Sequence, residues 1–181
     1  MKNKHLLFSL MSFLLLAMTA CQDDQEEPAR FFYGNYNLQA IAMDQPIALT
    51  NSGESSQDFL VQLEGLISSQ NNRMTFVEDI DDQMFFAFYS PTVLTEQGGV
   101  PIVRFAAENV VLKVELDDAT DQFQIIEQLP SVVEFGEIVS IKLLDQLTLE
   151  VTLNQSLYDF SDNEWKDVVV DYQFVRGPIS T

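Results

Sequence analysis

The sequence predicts a mostly β domain, a closed antiparallel barrel or a sandwich, with one short helix. Three observations carry that reading: eight to nine strand-like runs at regular spacing, strict period-two alternation in the best of them, and turn residues in the breaks. The elements follow in chain order.

Lys2 and Lys4 open the chain, residues 6–18 form an apolar run, and the small pair Thr19-Ala20 stands immediately before Cys21, the single cysteine. This is the layout of a bacterial lipoprotein export signal, and the run is short against the ~20 residues of a membrane-crossing helix. The expectation is a signal peptide over residues 1–20, cleaved to leave Cys21 lipidated by a palmitate-type acyl chain and a diacyl group. More than one chain gives lasting membrane attachment. Met18 stands three places before the thiol, where leucine is usual. Residues 21–30 include Gln22-Asp23-Asp24-Gln25-Glu26-Glu27-Pro28, which has nothing apolar to bury and reads as a flexible acidic tether. The domain is expected over residues 31–181.

Strands fit residues 33–43, 73–77, 84–89, 102–107, 123–127 and 138–144. The alternation is clearest where Leu147, Leu149, Val151 and Leu153 interleave with Thr148, Glu150, Thr152 and Asn154. It recurs through Val110, Leu112, Val114 and Leu116, and through Val168, Val170, Tyr172 and Phe174. Breaks are expected at Asp44-Gln45-Pro46, Asn51-Ser52-Gly53, Gly98-Gly99, Asp117-Asp118, Pro130-Ser131 and Ser161-Asp162-Asn163, where residue types favour turns. The helix is expected after Ser55 or Ser56 as its cap, with Asp58 in its first turn and Phe59, Leu60, Leu63 and Ile67 on one face. Gly65 falls inside that pattern and can end it early.

Composition bounds the chemistry. Cleavage removes Lys2 and Lys4 from nine basic residues against 28 acidic ones, so the mature formal charge is −21 over 161 residues. Such a field repels phosphate backbones, and no nucleic-acid partner is expected. The single histidine, His5, leaves with the signal. Without imidazole or a free thiol there is no Ser-His-Asp arrangement, no His-ligated zinc and no thiolate nucleophile, and a lone acylated cysteine forms no internal disulfide. A glycosidase-type carboxylate pair is formally open to Glu108, Glu115, Glu134 and Glu150, but alternation puts Glu115 and Glu150 on the polar side. The chain is expected not to be an enzyme and to carry neither cofactor nor metal. Residues 49–58, Asp79-Ile80-Asp81-Asp82 and Asp117-Asp118-Ala119-Thr120-Asp121 lack the carboxylate and glycine spacing of a calcium loop.

Gly34-Asn35-Tyr36-Asn37-Leu38 and the final run from Tyr158-Asp159-Phe160 through Glu164-Trp165-Lys166 to Arg176 resemble the two ends of lipocalin-like domains in Bacteroidota lipoproteins. The resemblance implies an up-and-down barrel closed by an aromatic–basic contact, here Tyr36 with Arg176. The second T-D-x-x-Y motif of true lipocalins has no match. The acidic residues after Cys21 are similar to the export signal of surface lipoproteins in that group, which implies the outer membrane and its outer face. It also implies a small apolar or sugar-like ligand, with no ligand-binding residue assigned, while an envelope protein docked on the outer surface is the alternative partner. Phe85-Phe86-Ala87-Phe88-Tyr89 puts apolar groups on both faces, either lining a cavity or packed as core, and any pocket is expected where it meets Phe59 and Leu63. Trp165 reads first as a hairpin core residue and second as a ligand platform.

Overall fold

The computed structural model describes residues 32–51, 54–62, 73–77, 83–97, 100–129 and 136–177, with 73, 77, 90–97 and 100–104 described as backbone only. Cys21, the expected signal peptide and tether, Gly98-Gly99, Pro130-Ser131, Ser52-Gly53, the Leu63–Ile67 half of the expected helix, the Asp79–Asp82 group and Glu134 lie outside them.

The strands are β1 (Gly34–Ile47), β2 (Ser56–Asp58), β3 (Arg73–Val77), β4 (Gln83–Gln97), β5 (Val100–Asp117), β6 (Gln122–Leu129), β7 (Gly136–Leu143), β8 (Thr148–Asp159) and β9 (Glu164–Arg176). Among the described residues, β1 and β3 to β9 pair in chain order, and β1 pairs in turn with β9. Every pairing is antiparallel, so eight strands close into an up-and-down barrel. Over the paired positions this closure gives β1 and β9 a partner on both sides, which removes the open edges a flat antiparallel sheet would carry. One edge of β1 is shared: residues 34–37 pair with β3, and Ala42 and Ile47 pair with β2.

The alternation expected from sequence sets the faces. In β8, Leu149, Val151 and Leu153 are fully buried, and in β9 so are Val170, Tyr172 and Phe174, while their neighbours along each strand are half-buried or exposed. Met74, Met84, Phe88, Leu112 and Ile141 join them at 0% exposure, so described inward positions are occupied by large side chains packed against one another. Phe32 meets Phe76 and Phe123 edge-on with centroids 5.0 and 5.3 Å apart, and Phe76 and Phe123 are tilted against each other at 5.6 Å.

Register shifts mark bulges near Gln39 in β1, Ile126 in β6 and Val139 in β7. A bulge adds a residue, bends its strand and throws a side chain outward. Ile126 is 56% exposed and Val139 53%, although both are β-branched and apolar. These two bulges face each other across the β6–β7 seam, where pairing is confined to Gln122↔Lys142 and Phe123↔Ile141.

Three expectations need correction. Asp44-Gln45-Pro46 does not end β1, which continues to Ile47. The Asp44 carboxylate accepts from the Val169 N–H and the Gln45 amide donates to the Asp167 carbonyl, so side chains supply the bonds that Pro46, lacking an N–H, cannot. Residues 102–107 and 110–116 belong to one strand, β5, because nothing between them forces a turn. The helix, α1 (Phe59–Gln62), is a single turn preceded by β2, and its cap is Asp58 rather than Ser55 or Ser56: Asp58 accepts from the Val61 N–H at 3.0 Å. The Gln62 side chain ties α1 to β1 through the Ile47 carbonyl and the Leu49 N–H. Among the described residues no helix is long and apolar enough to cross a membrane.

Candidate functional site

A surface cleft of about 470 Å³ lies on the β7–β9 sheet, lined by Gly136, Glu137, Asn154, Gln155, Ser156, Asp167, Val168 and Val169. It sits beside the register shift at Val139 in β7 and beyond the end of the β1–β9 ladder at Met43↔Val170, where the Asp44 and Gln45 side chains continue the link from β1 to β9 and β8 stays paired to both β7 and β9. Glu137, Asn154 and Asp167 are exposed, Ser156 and Val169 half-buried. The pairings Glu137↔Asn154, Asn154↔Val169 and Ser156↔Asp167 put these side chains on one outward face.

The cleft floor is held from inside. Gln155 is 2% exposed, and its amide donates to the Tyr89 carbonyl at 2.8 Å. The buried Tyr172 hydroxyl receives the Tyr89 N–H at 3.1 Å and donates to Gln155 Oε1 at 3.3 Å. Tyr89 lies past the last β3–β4 pair, Met74↔Phe86, so two side chains do there what a neighbouring strand would do. Burial raises the Tyr172 phenol well above its ordinary range, which keeps it a neutral donor.

Asp159 anchors the hairpin beyond the cleft. At 1% exposure it accepts from the Ala48 N–H at 3.2 Å, the Ser161 N–H at 2.8 Å, the Ser161 hydroxyl at 2.7 Å and Lys166 Nζ at 2.8 Å. Burial alone would raise its pKa, but Lys166, Ser161 and Ala48 together outweigh that and hold the carboxyl well below the usual range. Lys166 also bonds Asp162.

Tyr36 and Arg176 are directly opposite in the ladder that closes the barrel, as the sequence implied. The Tyr36 hydroxyl donates to the Phe32 carbonyl at 2.6 Å, and the guanidinium donates to the Tyr33 carbonyl and lies against Gly34. The Phe86–Tyr89 run is core on both faces: all four residues are buried. Phe59 packs edge-on against Phe105 at 5.3 Å, itself 0% exposed. Trp165 is not a core residue. It is 41% exposed and meets Tyr158 at 5.6 Å and 73°, because the outward face of the hairpin carries it.

The carboxylates considered for catalysis are dispersed. Glu115 is exposed, Glu108 half-buried, and Glu150 accepts from Gln173 on the outer face. Among the described residues no group of three His, Cys, Asp or Glu is placed to hold a metal. A second cleft, about 490 Å³, lies at the β5–β6 turn beside Glu115 and Asp117–Ala119. There the Asp117 carboxylate is engaged by its own turn, accepting from the Ala119 N–H and the Thr120 hydroxyl. No protein family, curated protein or solved structure matches this chain.

Sequence reasoning missed the β7–β9 cleft. Asn154, Ser156 and Asp167 have the pattern of any solvent-facing strand positions, and what groups them is the register of β7, β8 and β9.

Proposed function

We propose that the chain is a lipid-anchored, non-catalytic binding module of the outer membrane, held at Cys21, whose ligand is a small sugar-like molecule in the β7–β9 cleft. The observation that carries the reading is the contrast between described inward positions occupied by side chains and an external cleft that mixes apolar surface with the polar groups of Glu137, Asn154, Ser156 and Asp167. Asn154 and Ser156 both donate and accept, and Glu137 and Asp167 accept, which suits a ligand made of hydroxyls better than a hydrocarbon. The sequence resemblance to lipocalin-like lipoproteins supports the module and its attachment but puts the ligand inside; the occupied interior favours the outside.

Two experiments test it. Replacing Cys21 by Ser should move the protein from the membrane to the soluble fraction of the native cell. On the soluble form lacking residues up to Pro28, calorimetry with neutral sugars should give saturable heats lost in Asn154→Ala, with no displaceable binding of a hydrophobic dye. Saturable dye binding that sugars leave unchanged would refute the cleft.

A second reading, docking of an envelope protein, is favoured by the β6–β7 seam. There two strands pair at only two positions, and Ile126 and Val139 stand exposed on either side. Strand addition along such a seam supplies main-chain bonds. Co-purification of a partner lost in Val139→Lys would support it.

A further inference from the structure

Beyond the cleft, the same outward face continues along the β8–β9 ladder. Tyr158↔Trp165, Ser156↔Asp167 and Asn154↔Val169 are successive outward rungs of the β8–β9 ladder. At ~3.4 Å per residue, rungs two residues apart are about 7 Å apart, so Trp165 to Val169 spans about 14 Å, longer than one sugar ring. At one end stands an indole, 41% exposed and braced edge-on by Tyr158, which is itself only 9% exposed and meets Phe160 at 5.0 Å. At the other stand the amide, hydroxyl and carboxylates of the cleft.

We infer that this strip takes a neutral oligosaccharide, with one ring stacked on Trp165 and its neighbour hydrogen-bonded by Asp167, Ser156 and Asn154. The inference rests on the reading of the cleft as a sugar site and extends it to a chain of rings. An indole offers a flat apolar surface that matches the C–H face of a pyranose. Hydroxyls at the ring edge need partners that donate and accept, which the amide and hydroxyl supply, and carboxylates take pairs of hydroxyls as acceptors. Charge selects among sugars. Glu137 and Asp167 line the strip without a cation among the lining residues, and Lys166, the cation on the same hairpin, is engaged by Asp159 and Asp162. Uronic or phosphorylated sugars are therefore repelled.

The test uses the full chain in a detergent without a sugar headgroup, with cellohexaose, xylohexaose and mannohexaose as probes and trigalacturonate and pentalysine as comparisons. Trp165 is the single tryptophan, so its emission reports its own site. At least one neutral hexasaccharide should bind saturably by calorimetry and shift the emission, and its constituent monosaccharide should bind at least about tenfold more weakly. Trp165→Ala should weaken the hexasaccharide about tenfold or more, as for a central aromatic anchor, and Trp165→Phe by less. Circular dichroism checks that each variant is folded; if Trp165→Ala is not, Trp165→Phe and Asp167→Asn carry the comparison. Sugar binding lost in Asn154→Ala but unchanged by the Trp165 variants would overturn the stacked ring and leave the cleft standing. Absence of binding by every neutral hexasaccharide, or binding of pentalysine in their place, would overturn both.

Discussion

Asp159 offers the sharpest test of what holds the barrel wall together. Its carboxylate collects four donors from three places: the end of β1 at Ala48, the turn at Ser161, and β9 at Lys166. Asp159→Ala leaves the buried Ala48 N–H without that acceptor and removes the buried one of Lys166's two carboxylate partners, while Lys166 keeps the exposed Asp162. Removing one partner of a buried ion pair costs about 3–5 kcal/mol, and hydrogen bonds to charged groups about 1.5–3 kcal/mol each without being additive. Because the side chain is sealed by its own hairpin and Lys166 stays solvated on one side, the lower part of that range applies, about 3 kcal/mol. For a domain of this size that corresponds to a fall in Tm of roughly 6–12 °C. Asp159→Asn keeps the shape and loses the charge, so it should fall by less. The pH dependence has a definite sign. The folded carboxyl sits below its unfolded value of ~3.9, so its contribution is complete above that value and is lost as pH falls towards the folded one. The wild type should therefore lose more stability than Asp159→Asn below about pH 4. Thermal melts of both proteins from pH 7 to pH 2 measure this. Equal melting temperatures at pH 7, or parallel acid limbs, would refute the assignment.

Three further outcomes follow from the same geometry. Tyr172→Phe deletes the hydroxyl that serves Tyr89 and Gln155 and should cost about 1–3 kcal/mol in urea unfolding, since a buried N–H loses its acceptor. Gly34 has φ 147° and a Cβ there would lie 3.1 Å from Arg176 Nε, so Gly34→Ala should destabilise by about 1–3 kcal/mol. At Gly136 a Cβ meets nothing closer than 3.4 Å, so Gly136→Ala should be neutral or stabilising by up to about 1 kcal/mol in the same assay, and a loss comparable to that at Gly34 would contradict the packing described.

Much of the wall was legible because strand alternation is a local property. Leu149, Val151 and Leu153 could be assigned to the interior from their spacing alone, whereas the Tyr36–Arg176 juxtaposition was implied only by the resemblance of the chain's two ends to lipocalin-like domains. What escaped was set by tertiary context. The continuation of β1 through Pro46 depends on Asp44 and Gln45 reaching β9, 125 and 122 residues away. Trp165 looked like a core residue because tryptophan usually is one, and only its rung opposite Tyr158 shows that it faces out. No pattern in the sequence distinguishes Asn154 from any other polar position on β8. The cleft groups side chains from three strands through their register, and register across strands is not written in the composition of any one of them.

Closure by β1 against β9 also dictates an order of events in folding. Tyr36 and Arg176 are neighbours in space but 140 positions apart in the chain, so this ladder carries the largest loop-closure entropy in the barrel. The β4–β5 and β8–β9 hairpins are local and can form early, whereas the β9-facing edge of β1 must wait open until the last strand is in place. Such high contact order implies slow folding. A chain stopped before residue 164 would therefore present two unsatisfied edges at once, and its fate would be self-association rather than a smaller barrel.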